Sequence, residues 1–223
     1  MQILALVLTA VTSYLLGSLN SSIIVVRLLK HEDIREHGSK NAGLTNTLRC
    51  YGKIPALLTL IGDLAKGIVA VILSRCIFTW LTGGDAHIGL FDAQAVGYAA
   101  GFFAMIGHIF PLYYGFKGGK GVLVSASILI VIDPITFFIV IPFFILIVAV
   151  TRYVSLGSIL AAAAYPIVTF CVNYFLRGDL FESSLLYAVL AAFSGALIIY
   201  MHRSNIERLK SGTENKLGAA KKE

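Results

Sequence analysis

Residues 120–151 form one mainly apolar run, broken only by Asp133-Pro134. Comparable runs recur along the chain, and 57% of its 223 residues are hydrophobic against 13% charged. About 20 consecutive apolar residues cross a bilayer as a helix. Backbone groups inside lipid must be satisfied internally, which leaves helices or a closed barrel. The runs here are continuous rather than alternating, which excludes the barrel. The expectation is an all-α, polytopic transmembrane helix bundle.

The apolar runs place helices near 3–26, 54–80, 93–113, 120–132, 134–151, 154–176 and 184–201, about seven spans. Aspartate before proline disfavours a continuing helix and favours a turn, so 120–151 fits two short spans or one re-entrant unit. The opening stretch "MQILALVLTAVTSYLLGSLN" lacks the basic start of a signal peptide and reads as a retained helix. Of the 18 lysines and arginines, 15 fall in the segments 27–53, 117–120, at Arg152 and in the tail from Arg203. All four segments lie on one side of a seven-span arrangement. By the positive-inside rule that side is cytoplasmic, with the N-terminus outside and the C-terminus inside. The expected location is a bacterial plasma (inner) membrane, with the chemistry toward the cytoplasm. No second domain shows in the pattern, so 1–223 reads as a single integral membrane domain, with 211–223 a flexible tail.

Five segments carry chemistry. "HGSKNAGLTNTLR" gathers Ser39, Asn41, Thr45 and Asn46 around two glycines and closes on Arg49. Small hydroxyls and amides orient a polyol or phosphate, glycines let backbone N–H groups approach an anion, and Arg49 can grip phosphate in bidentate fashion. The plainer alternative is a solvated loop with a helix N-cap. "GSLNSS" places Asn20, Ser21 and Ser22 at a helix end, where such residues commonly join transmembrane helices. "GDLAKG" puts Asp63 and Lys66 three apart on one helix, a pair that is more often structural than functional.

The fourth segment, "GHIFPLYYGFKGGKGV", interrupts the apolar pattern. It is not a nucleotide loop: GxxxxGK[ST] requires one more residue between Gly115 and Lys120, and a hydroxyl residue where Gly121 stands. Glycine amides at Gly118, Gly119 and Gly121, two lysines (Lys117 and Lys120) and an immediate helix start suit an anion. The alternative is a basic turn that only sets topology. In the fifth, "HRSNIERLKSGTE", His202 and Asn205 lie three apart, and a histidine there can act as general base or bind phosphate. Two patterns are decoys. "HIGLFD", His87 to Asp92, has an HxxxxD spacing but falls in an external loop, and the histidines of "HEDIREH" are wrongly spaced for HExxH. Cys50, Cys76 and Cys171 are scattered, so neither a metal site nor a disulfide framework is expected.

These five segments, in this order along nearly the whole chain, resemble the bacterial acyl-phosphate:glycerol-3-phosphate acyltransferase family. Two departures appear: Lys40 and Leu44 stand where the family form GSGNxGATN has glycine and alanine. The resemblance implies transfer of a fatty acyl group from acyl-phosphate to the 1-hydroxyl of glycerol 3-phosphate. The products would be lysophosphatidic acid (1-acylglycerol 3-phosphate) and phosphate, in the first acylation step of phospholipid synthesis. It implies an enzyme acting as a monomer with no cofactor and no metal. Ser39, Asn41, Arg49, Lys120, His202 and Asn205 would be catalytic. Thr45, Asn46, Lys117, Gly118, Gly119 and Gly121 would bind substrate phosphate, and Glu214 would be structural. The rival class is a transporter of phosphate or a phosphorylated metabolite, which calls for polar sites at the bilayer midplane and internal repeats. A non-enzymatic membrane subunit would leave the clustered phosphate-type donors unexplained.

Overall fold

The computed structural model describes residues 2–83 and 92–218. Every regular element among them is helical, as the continuous apolar runs require. The chain forms two compact units, 1–132 and 133–223.

In the first unit, α1 (Gln2–Gly17), α2 (Ser21–Lys30), α3 (Leu44–Tyr51), α4 (Lys53–Thr82), α5 (Ala93–Ile109) and α6 (Val122–Ile132) follow in order. The 30-residue α4 is the hub, packing against α1, α2, α3, α5 and α6. Helices in lipid gain no hydrophobic drive from one another and associate through close packing of small residues. Gly17 of α1 lies so near α5 that a Cβ there would overlap the Ala104 carbonyl oxygen, and one at Gly107 of α5 would overlap that of Tyr14. Buried hydroxyls add a second bond type, with Ser13 Oγ 2.7 Å from Ser74 Oγ between α1 and α4.

The break between α1 and α2 is a cap. The Asn20 side chain accepts from the Ile23 amide at 3.2 Å and restarts the helix. At the other end of the unit, Asp92 caps α5 by accepting from the Ala95 amide at 2.7 Å. The rest of "HIGLFD", residues 87–91, lies outside the described residues.

The second unit holds α7 (Pro134–Thr151), α8 (Val154–Cys171) with a π-helical extension (Val172–Leu176), α9 (Phe181–Met201) and the short α10 (Arg203–Lys210). α8 packs against α7 and α9, and α10 rests on both α8 and α9. The Asp133-Pro134 break is another cap. Asp133 accepts from the Thr136 amide at 3.2 Å, and Pro134 occupies the first turn, where its missing N–H costs nothing. Buried Asp133 is also met by Arg177 at 2.9 Å and by the Asn173 amide at 3.3 Å, so its charge is paired within the unit.

Six segments among the described residues are long and apolar enough to cross a membrane. The expected span at 120–132 is the exception. The polar segment reaches to Gly121 and Asp133 caps the next helix, so α6 has only 11 residues. At 1.5 Å per residue that is about 16 Å, against a hydrocarbon core of about 30 Å. Of the segment expected to be a flexible tail, residues 211–218 are described and are tied down. The Leu217 amide donates to the Arg152 carbonyl at 2.7 Å, and Arg152 Nη2 donates to the Leu217 carbonyl at 2.8 Å.

Candidate functional site

The loop from His31 to Gly43 is built around charge. Asp33 pairs with Arg27 at 2.8 Å and with Arg35 at 2.7 Å. Hydrogen bonds from Arg35 outweigh burial and hold the Asp33 carboxyl well below the usual carboxylate range. Arg35 also reaches across the unit, donating to the carbonyls of Tyr114 at 2.6 Å and Lys117 at 3.2 Å. One guanidinium therefore ties the first polar segment to the glycine–lysine segment. In the sequence Arg35 reads only as a topogenic charge. The signal for more was Asp33 two positions before it, an acceptor that aims the guanidinium.

Within "GSKNAGLTN" the side chains divide by task. Asn46 is buried: its oxygen accepts from the Ser39 amide at 2.9 Å, and its nitrogen donates to the carbonyls of His37 at 3.0 Å and Ile34 at 3.4 Å. Its hydrogen-bonding groups thus hold the loop. Ser39 and Arg49 are exposed, and Asn41 and Thr45 half-buried. Thr45 and Arg49 lie four apart on α3 and so share a face. Ser22 Oγ, 3.0 Å from Thr47 Oγ1, fastens α2 to α3, in line with a joining role for the "LNSS" hydroxyls.

Lys40 takes a left-handed backbone with φ 57°, at the position where the family form has glycine. A residue with a Cβ loses about 1–2 kcal/mol in that conformation. Lys40→Gly is therefore expected to raise stability by about 1 kcal/mol, seen as a higher thermal midpoint in detergent.

The glycine–lysine segment folds back on the end of α5. The Gly118 amide donates to the Ile109 carbonyl at 3.0 Å, and the Gly119 amide to that of His108 at 3.1 Å. These two amides hold the turn against α5. The glycines are there for space: a Cβ at Gly118 would overlap the His108 carbonyl oxygen, and one at Gly119 would lie 2.5 Å from the Ala42 carbonyl oxygen. The turn thereby packs Gly119 against the Ala42 carbonyl, with the half-buried Lys120 next in the chain, Lys117 exposed and Gly121 (φ 83°) opening α6. Below it, Asp63 and Lys66 form a buried ion pair at 2.9 Å, joined by His108, a residue that the sequence motifs leave without a role.

His202 and Asn205 lie in the second unit at the α9–α10 junction, both buried. His202 Nδ1 stands 2.8 Å from the Ile198 carbonyl oxygen. A carbonyl only accepts, so Nδ1 carries the proton and Nε2 is the basic nitrogen of the neutral ring. Glu214 accepts from Asn205 at 2.7 Å, Arg208 at 2.7 Å and Ser155 at 2.9 Å. Burial pushes the Glu214 carboxyl up, but these donors together outweigh it and hold the group below its ordinary value. A depressed carboxylate contributes stability that is complete above the unfolded value, about 4.3 for Glu, and is lost as pH falls through the lower folded value. Glu214→Gln is accordingly expected to destabilise the protein at pH 7, with the difference from wild type shrinking below about pH 4. Thermal unfolding across pH checks this.

The glycerol-3-phosphate acyltransferase family model matches residues 7–212. The chain belongs to that family. Among curated glycerol-3-phosphate acyltransferases, one from Chlorobaculum parvum is 44% identical, covering 92% of this chain and 93% of its own. One from Clostridioides difficile is 38% identical over 99% of this chain and its own full length. In three dimensions the chain is similar to PlsY (YgiH), an integral membrane glycerol 3-phosphate acyltransferase solved in a glycerol 3-phosphate form. The TM-score is 0.76 at 30% identity, with 96% of each chain covered. The lysophosphatidic acid form of PlsY matches with a TM-score of 0.74. The protein is thus a membrane acyltransferase that acylates glycerol 3-phosphate, an activity belonging to phospholipid synthesis.

Proposed function

We propose that the acyl donor is an acyl-phosphate, and that the products are lysophosphatidic acid and inorganic phosphate. The observation that carries this reading is the joining of two cationic segments in one unit. Arg35 and the Gly119 turn bring Lys117 and Lys120 to the loop that leads to Arg49. Two phosphate-bearing substrates call for such separate cationic groups, whereas a thioester donor brings no phosphate at its reacting carbon. The relative PlsY, solved with glycerol 3-phosphate and with lysophosphatidic acid, supports the same substrate and product.

In the proposed reaction, the 1-hydroxyl oxygen of glycerol 3-phosphate attacks the acyl carbonyl carbon. The new ester C–O bond forms as the anhydride C–O bond breaks, and phosphate leaves with that electron pair. The mixed anhydride is already activated, so the protein's work is orientation and charge stabilisation. Arg49 with Ser39, Asn41 and Thr45 holds one phosphate-bearing substrate, and Lys117 and Lys120 stabilise charge on the other. The hydroxyl proton goes to His202 Nε2 or to a substrate phosphate; Asn205 positions substrate. The enzyme acts as a monomer in a bacterial inner membrane with these groups toward the cytoplasm. The 15 lysines and arginines on one side of the seven-span arrangement read from the sequence support that orientation.

Donor competition tests the proposal. Purified enzyme supplied with acyl-phosphate, acyl-CoA or acyl-carrier protein, each freed of the others, is expected to acylate glycerol 3-phosphate from acyl-phosphate alone. Equal turnover with either thioester would overturn the donor assignment.

A further inference from the structure

A buried ammonium inside a membrane helix is costly and survives only where its partners are fixed. Lys66 of α4 has three: Asp63 Oδ1 at 2.9 Å, the Leu19 carbonyl oxygen at 2.9 Å and His108 Nδ1 at 2.8 Å. An ammonium carries three N–H donors and no acceptor. His108 Nδ1 must therefore be the unprotonated ring nitrogen, which puts the imidazole proton on Nε2. His108 is itself buried, so this assignment is set within the unit and not by bulk water.

Nε2 borders a specific gap. A Cβ built on Gly119 would overlap His108 Nε2 and lie 2.5 Å from the Ala42 carbonyl oxygen, so the ring edge and the first loop meet at the one point where Gly119 lacks a side chain. The Gly119 amide is bonded to the His108 carbonyl. The Ala42 carbonyl is also approached by Asn20 Nδ2 at 3.4 Å. One histidine thus touches the glycine–lysine turn through both its backbone and its ring, while Lys66 grips the ring's far edge.

We propose that His108 is a positioning residue for acyl transfer: Lys66 fixes its tautomer, and its Nε2–H, aimed into the Gly119–Ala42 gap, seats the turn so that Lys120 meets substrate phosphate. This rests on the reading that Lys120 contacts a phosphate. It gives the buried Asp63–Lys66 pair a task beyond joining helices, because neutralising Lys66 would free the ring to turn its acceptor toward an acceptor carbonyl.

Three variants separate the contacts. His108→Asn keeps an acceptor for Lys66 but stops short of the gap. His108→Gln offers Lys66 its oxygen and the gap an N–H. His108→Phe does neither. A small displacement of a substrate-holding group can cost about 100-fold, so the Asn and Phe variants are expected to raise KM for glycerol 3-phosphate or acyl-phosphate by about 10-fold or more. Because Lys120 also meets the charge that develops in transfer, their kcat should fall by about 10-fold or more as well. The Gln variant should return KM to within about threefold of wild type, and Asn and Gln should unfold at the same temperature. Wild-type KM in His108→Asn, or a His108→Gln enzyme as impaired as Asn, overturns the proposal. Should the variants not fold, ¹⁵N-histidine spectra of the wild-type enzyme decide: Nε2–H at His108 upholds the proposal and Nδ1–H overturns it. Wild-type kinetics in Lys120→Ala would instead remove the phosphate reading beneath it, whatever the histidine variants do.

Discussion

Lys120→Ala is expected to lower kcat/KM by about 100- to 1,000-fold, the loss typical when one donor to developing charge is removed. The lysine follows directly on the turn whose Gly118 and Gly119 amides are bonded back to α5, so its backbone cannot easily shift to let another group substitute. An ammonium is a compact point charge and a guanidinium a wide planar fork. Lys120→Arg is therefore expected to recover only part of the loss, in a half-buried position beside the tight Gly119 contact. Arg49→Ala should show a comparable deficit. Lys210→Ala, an exposed cation on α10, should stay within about twofold of wild type. Steady-state kinetics in one detergent, with each variant's yield matched, reads all four.

Gly17→Leu is expected to be the most damaging single change to stability. The atoms facing Gly17 are backbone: a Cβ there would overlap the Ala104 carbonyl oxygen and lie 2.7 and 2.8 Å from the carbonyl carbon and Cα of the same residue. None is the mobile end of a side chain, so α1 and α5 must part. Overpacking of this kind costs about 3 kcal/mol or more, and for a chain of this size that lowers the thermal midpoint by roughly 6–12 °C. Gly107, whose Cβ would strike the Tyr14 carbonyl oxygen, should respond alike. The separation would also disturb the Tyr14 hydroxyl bond to the Phe110 carbonyl, 2.9 Å, just ahead of the glycine–lysine turn. Activity should therefore fall with stability. Val7→Leu, on an exposed position of α1, should leave both unchanged.

The helical membrane fold and its element order were readable because lipid permits so few backbone solutions, and the Asp133-Pro134 interruption marked a cap where one exists. The length of α6 was harder. Hydropathy cannot show that a polar turn reaches as far as Gly121, so an 11-residue helix looked like part of a span. At the site, the residue types pointed to phosphate chemistry, but not to which atoms are already committed. Asn46 reads from sequence like a substrate ligand because an amide has the same donors whether it faces a loop or a ligand; only the positions of Ser39, His37 and Ile34 reveal its task. The Gly118 and Gly119 amides, bonded back to α5, likewise show their partners only in the folded chain. His108 escaped notice because its partner, Lys66, is 42 residues away and lies on another helix.

The most direct test of the account is the stoichiometry of products. Enzyme reconstituted in liposomes, given acyl-phosphate and glycerol 3-phosphate, is predicted to release one inorganic phosphate for each lysophosphatidic acid formed. Phosphate or glycerol 3-phosphate accumulating inside the vesicles with no acylated product would contradict it.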